Sequence, residues 1–128
     1  MFTDLKNSSN SIAIGKFGEK FVENYLIRCL GWEVIDRNVR SPYGEIDIVA
    51  KTGTTFVFVE VKTRRSDRFG APLEALCNAQ LIRLVHQAEG YAARLSRDIA
   101  QHVCLDVVGL RIHRNVVVDI QHVRIYPD

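Results

Sequence analysis

Apolar residues recur at helical spacing over residues 12–30, where Phe17, Phe21, Val22, Tyr25, Leu26, Cys29 and Leu30 stand three and four apart and Gly31 is placed to end the run. That spacing predicts a helix. Residues 32–40 set Trp32, Val34 and Ile35 among charged neighbours and stop at Ser41-Pro42-Tyr43-Gly44, the pattern of a strand followed by a turn. Two further strands, 45–51 and 55–64, are joined by Thr52-Gly53-Thr54, a linker short enough for an antiparallel hairpin. A second helix is expected over about 72–95, with Pro72 in its first turn, a break near Cys77-Asn78, and Leu81, Leu84, Val85, Ala88, Ala92 and Leu95 on one face. Two β-rich runs, 103–112 and 116–125, flank His113-Arg114-Asn115 and predict another hairpin. The order αβββαββ describes an α/β fold, a mixed sheet with flanking helices, in a single domain over 12–128; the polar stretch 1–11 reads as a flexible leader.

Composition narrows the classes. With 128 residues, 47% hydrophobic and 25% charged, the chain fits one globular domain and is not disordered in its main state. A net charge of +2 is too small to establish a polyanion partner, so the placement of charge has to decide. Cys29, Cys77 and Cys104 lie far apart within apolar patterns, which supports neither a disulfide framework nor a zinc site; reduced core thiols in a cytoplasmic protein are expected. No run approaches the ~20 apolar residues of a membrane span, and the N-terminus lacks the apolar stretch of a signal peptide. His86, His102, His113 and His122 share no metal-ligand spacing and are read as structural or surface residues.

The chemistry lies on the second and third strands, Gly44-Glu45-Ile46-Asp47-Ile48-Val49 and Phe58-Val59-Glu60-Val61-Lys62. Period two puts Glu60 and Lys62 on the face of Phe56 and Phe58, and Val57, Val59 and Val61 on the other, so a carboxylate and an ammonium stand on a strand that is apolar on both faces. An unpaired buried charge there costs roughly 3–5 kcal/mol, so something must compensate. If the hairpin pairs Asp47 with Glu60, Glu45 falls opposite Lys62; a two-residue slip puts Glu45 opposite Glu60. Strands lie only ~4.8 Å apart, so two carboxylates brought together share a proton or hold a cation, and hard oxygen ligands with room for water suit Mg²⁺. Glu19 lies about 90° from a helix stripe centred near Tyr25, at the border of the core, and the flanking Gly15 and Gly18 hint at close backbone approach. Singly, each residue has a plainer reading: Asp47 serving backbone donors, Glu19 favoured by the helix dipole, Glu60 and Lys62 an ion pair. Their joint placement shifts the balance.

Asp47, then Glu60-Val61-Lys62 thirteen positions on, after a helix bearing Glu19, resembles the PD-(D/E)xK nuclease superfamily with its restriction-endonuclease-like fold. The longer string Gly15-Lys16-Phe17-Gly18-Glu19, Arg37-Asn38, Gly44-Glu45-Ile46-Asp47, Phe58-Val59-Glu60-Val61-Lys62-Thr63-Arg64 and Phe69-Gly70-Ala71-Pro72 resembles the YraN-type family of bacterial proteins over nearly the whole chain, a family similar to Holliday junction resolvases. The resemblance implies a metal-dependent phosphodiesterase. Asp47, Glu60 and the carbonyl of Val61 would bind Mg²⁺ or Mn²⁺, Lys62 would orient or help deprotonate water, Glu19 would be a further metal or water ligand, and Glu45 would support them. The chain departs from the family pattern at Gln80, where a helix lysine is common, and at Cys104, where an arginine often precedes the last aromatic-Asp pair, here Leu105-Asp106. The resemblance to resolvases also implies a homodimer.

Twelve of the seventeen basic residues are Arg, and Arg37, Arg40, Arg64, Arg65 and Arg68 concentrate beside the candidate site as an expected phosphate-contacting rim. With no helix-turn-helix, zinc-finger or RNA-binding signature, recognition by structure is expected over reading of sequence, and the resemblance to resolvases implies DNA, branched or otherwise structured, as the partner. The expected activity is a Mg²⁺-dependent endonuclease; the alternative is a non-catalytic nucleic-acid-binding or assembly protein that keeps a nuclease fold.

Overall fold

A computed structural model describes residues 11–42, 44–65, 78–94 and 103–126. The elements are α1 (Ser11–Arg28), β1 (Glu33–Ser41), β2 (Gly44–Thr52), β3 (Thr55–Arg65), α2 (Asn78–Ala92), β4 (Val103–His113) and β5 (Val116–Tyr126), in the order the hydrophobic pattern predicts. The leader apart from Ser11, the first part of the expected second helix, Arg68, Phe69-Gly70-Ala71-Pro72, Cys77, Leu95 and His102 lie outside the described residues.

The five strands form one sheet in the order β1-β2-β3-β4-β5. β3 and β4 pair in parallel and the other neighbours pair antiparallel, which makes α2 the crossover that a parallel pair requires. Two tight turns fix the register: Thr52 pairs with Thr55 around Gly53 at φ +59°, and Arg114 and Asn115 take φ of 49° and 64° between β4 and β5. Positive φ at both central positions matches the right-handed twist of a hairpin, and Asn tolerates that conformation better than most residues.

The core lies in two layers, sorted by period two along β3 and β4, while β2 changes sides between Ile46 and Ile48. On one face Val22 and Leu26 of α1 pack on Ile48, Ala50, Val57, Val59, Cys104, Val108 and Leu110. On the other, Leu84 and Ala88 of α2 pack on Ile46, Val49, Phe56, Phe58 and Leu105. Central strand β3 is therefore buried on both sides, and each fully buried side chain contributes roughly 1.5–3 kcal/mol.

The buried line of α1 runs through Val22 and Leu26, while Phe21 and Leu30 are each more than a third exposed. The contact line is thus turned away from a stripe centred on Tyr25, and Gly18 explains why. A Cβ at Gly18 would stand 2.2 Å from Thr63 Oγ1, so the missing side chain lets α1 settle on β3 along that line. Cys29, expected in the core, is exposed: the helix ends at Arg28, and Gly31, at φ +72°, closes the chain with Gly31 N–H on Ile27 O at 3.2 Å and Trp32 N–H on Leu26 O at 2.9 Å. Cys104 is buried as expected.

One polar tie crosses this layer. Asp106, 1% exposed, accepts from Arg124 Nε at 2.8 Å and meets His122 Nε2 at 2.6 Å, and His122 Nδ1 meets the Tyr25 hydroxyl at 2.8 Å. Burial opposes ionisation of Asp106, yet the hydrogen bonds from His122 and Arg124 outweigh it and hold the carboxyl below its ordinary range.

Candidate functional site

The ladder between β2 and β3 runs from Thr52↔Thr55 to Ile48↔Val59 and stops, while β2 continues against β1 as far as Ser41↔Gly44. The two strands thus fork just where Asp47 and Glu60 would be the next pair. Of the two registers open to the sequence, this is the one that sets Asp47 opposite Glu60. At the fork Val61 N–H donates to Asp47 Oδ2 at 2.8 Å, so the carboxylate replaces the backbone carbonyl that the diverging strand no longer offers.

Glu60 and Lys62 are withdrawn from solvent, with side chains 13% and 16% exposed, and Lys62 Nζ stands 3.4 Å from Glu60 Oε2. Among the described residues Glu60 Oε1 is buried with no hydrogen-bond partner. Burial, then a hydrogen bond and repulsion from Glu60, push the Asp47 carboxyl up to about 8 against the bond from Val61 N–H. Glu19 is raised to about 6 by burial and by Asp47 and Glu45. Asp47 and Glu60 thus press on one another, Glu19 feels Asp47 through space, and Lys62 is the cation in contact with the pair.

Glu19, Glu23, Arg37, Asn38, Glu45 and Asp47 line a cleft of about 690 Å³ between α1 and the β1–β2 hairpin. Glu60 and Lys62 are not in its lining, so Asp47 is common to the cleft and to the fork. Glu45, which the paired register would set against Lys62, instead pairs with Arg40 across β1–β2, at 3.5 Å, because β2 has left β3 by that point. The basic residues divide. Arg37 holds Glu23 with two hydrogen bonds, one of 3.0 Å from Nε; Arg64 Nη1 donates to Thr63 O at 2.9 Å; Arg65 ends β3; and Arg68 lies outside the described residues. Among the described residues no three His, Cys, Asp or Glu are gathered closely enough to hold a metal by themselves. The acids that act most directly on one another are two, Asp47 and Glu60.

A family profile described as "Uncharacterised protein family UPF0102" matches residues 18–110. The chain belongs to UPF0102. This is the YraN-type family that its motifs resemble. A UPF0102 protein of Rhodococcus opacus (strain B4) is 40% identical over 116 residues, covering 91% of this chain and 97% of its own. One of Beutenbergia cavernae is 42% identical over 112 residues, covering 88% and 93%. A solved structure, Pyrococcus furiosus SfsA in complex with Ca²⁺, is a distant likeness at a TM-score of 0.41 and 16% identity, over 88% of this chain and 62% of that one.

In this UPF0102 chain the residue that sequence reasoning passed over is Asn38. It falls, with Asp47 across from it, between the paired rows Arg37↔Ile48 and Val39↔Ile46 of β1–β2, and takes φ +51°. With its amide nitrogen facing the acids, it donates to Glu45 Oε1 at 3.0 Å and Glu19 Oε1 at 3.1 Å, joining α1 to the hairpin. The signal was the Asn itself, after glycine the residue type most at ease in a left-handed break within a strand. Asp106 was quoted in the sequence only as half of a pair; its network with His122 and Tyr25 needs the β4–β5 register, which residue types alone do not give. No helix among the described residues is long and apolar enough to cross a membrane.

Proposed function

We propose that this chain is a metal-dependent endonuclease that hydrolyses phosphodiester bonds in structured or branched DNA. The observation that carries the reading is the pair at the fork: two neighbouring acids, one with a carboxyl raised to about 8 and the other with a buried, unpartnered oxygen. Such a pair takes up a proton or a cation, and its oxygen donors fit a hard divalent ion that keeps waters of its own. Asp47, Glu60 and the carbonyl of Val61 would hold Mg²⁺ or Mn²⁺, with Glu19 a further ligand to the ion or its water. The bound ion would supply Lewis acidity at the phosphate and a lowered pKa for water.

The protein's own groups then have defined tasks. Val61 N–H fixes the Asp47 carboxylate, Asn38 orients Glu19 and Glu45, and Lys62, held by Glu60, offers the ammonium nearest the pair. Preorganised donors of this kind stabilise charge that grows in the transition state. Titration of Mn²⁺ into wild type, Asp47→Asn and Glu60→Gln by calorimetry, with melting curves to establish folding, tests the reading. Binding in wild type that is lost in both variants, together with Mn²⁺-dependent cleavage of junction, flap or nicked DNA, is the expected result; no binding by folded wild type sinks it. A second reading is favoured by the Glu60–Lys62 pair and the Asn38 bonds, which already partner much of the acid cluster: a nucleic-acid-binding or assembly protein without turnover. DNA binding that needs no metal and survives Asp47→Asn would select it.

A further inference from the structure

Three residues of the cleft wall have no task in that site. Gly15, Lys16 and Lys20 line the cleft beside Glu19, on the α1 side. Lys16 and Lys20 are exposed and one helical turn apart, so both reach the same side of α1. They act on Glu19 and Glu23 through space, but neither has a hydrogen bond or ion pair of its own among the described residues. The arginines across the cleft differ: Arg37 is held by Glu23, and Arg40 pairs with Glu45. The cations of this cleft whose donors are not engaged by a carboxylate are therefore the lysines.

Gly15 adds an independent observation. Glycine weakens a helix relative to alanine, and at Gly18 the reason is the contact with Thr63. At Gly15 a Cβ would meet nothing within 4 Å. No packing within the described protein requires the glycine, and it borders the cleft, where bare backbone lets a ligand come close.

We propose that Gly15, Lys16 and Lys20 form the seat for the phosphodiester backbone of the bound strand: its phosphates lie along the cleft side of α1, paired with the two lysines at the open rim, and the strand approaches the helix most closely at Gly15, deeper in the cleft. The seat rests on the nuclease reading for its ligand and names the surface that takes it. Contacts of this kind carry no base information, which suits recognition by shape.

The test is binding of fluorescein-labelled DNA of about 30 nucleotides, as single strand, duplex and four-way junction, to the full chain in chelator, read by anisotropy over a range of salt. Lys16→Gln/Lys20→Gln is expected to weaken binding about tenfold or more and to flatten the slope of log K against log salt by about 1.4 to 1.8, two contacts at ~0.7 to 0.9 each. Arg83→Gln, an exposed change on α2, is expected to leave both unchanged. Gly15→Ala separates contact from folding: it is expected to melt a few degrees higher than wild type and yet bind several-fold more weakly. If the double lysine variant binds as wild type does, or Gly15→Ala melts higher with binding intact, the seat is overturned, even where Mn²⁺ titration upholds the metal site. If the seat is correct and Mn²⁺ does not bind, the lysine and glycine effects persist and only the nuclease reading falls. Wild type that binds none of the three DNAs overturns the seat, and a same-sequence RNA that competes more tightly keeps the seat but reassigns the strand.

Discussion

At the scale of single residues, Asp47 has the most exacting place. Its carboxyl is a structural acceptor for Val61 N–H and also one of two acids pressed together, and those roles pull its ionisation in opposite directions. Burial and Glu60 prevail, so the folded chain holds a proton at about 8 that the unfolded chain releases near 4. Folding thus takes up a proton between those values. The Asp47 contribution to stability in chelator is full below pH 4 and is lost as pH rises through about 8. Melting curves from pH 4 to 9 should show that decline for wild type. Asp47→Asn, which keeps an acceptor for Val61 N–H, should flatten it and melt several degrees above wild type at pH 8, and Mn²⁺ should raise the wild-type midpoint most at high pH. Asp106 has the opposite sign. Its folded pKa is depressed, so its contribution is present above the ordinary carboxylate range and is lost as pH falls through the folded value. Asp106→Asn should cost about 2–3 kcal/mol at neutral pH by denaturant titration and make acid unfolding less steep.

Among the elements, the approach of α1 to β3 decides whether Glu19 reaches the fork at all. Gly18→Ala places a methyl group 2.2 Å from Thr63 Oγ1, and something must shift. A loss of about 1–3 kcal/mol is expected, most of it recovered in Gly18→Ala/Thr63→Ala, since removing the hydroxyl relieves the contact; urea titration of both variants and of Thr63→Ala checks this. These elements also show what the chain discloses before it folds. The hairpin register was legible because Gly53 fixes the turn and one face of each strand must stay apolar, which left two choices for Asp47 and Glu60. The helix stripe was legible in period but not in direction. Which of Val22 or Tyr25 leads depends on a glycine matching a threonine forty-five residues away, a tertiary fact. The left-handed break at Asn38 and the strand fork were hidden for the same reason: hydrophobic period records which face is buried and is silent on where pairing stops. Glu45 was therefore assigned a partner on β3 that the diverging strand cannot offer it.

For the whole molecule, the sheet among the described residues leaves β1 and β5 as its edges, and β5 is the longer. It is eleven residues long, exposes Val116, Val118, Ile120 and Val123, and has no partner strand on its outer side among the described residues; its register against β4 shifts at Val118. Long apolar edges are templates for another strand, so two copies meeting at β5 is the expected route to the homodimer that the resolvase resemblance implies. Sedimentation over a concentration series should show association that Val118→Lys abolishes, with the melting midpoint little changed because that side chain is more than half exposed. A chain that stays monomeric throughout would leave the edge without a partner.

The hairpin that carries the fork also works as a ruler. Five paired rows, about 17 Å at ~3.4 Å per residue, separate Ile48↔Val59 from the turn at Gly53, and the turn end touches neither the cleft nor α1's buried line. Length can be added there without moving the acids: a tag or an inserted loop between Gly53 and Thr54 lengthens the tip alone, whereas one residue inserted on a single arm would rotate every side chain beyond it to the opposite face. The tip of the β2–β3 hairpin is thus the natural attachment point for a spectroscopic label or surface tether that reports on the site from outside it.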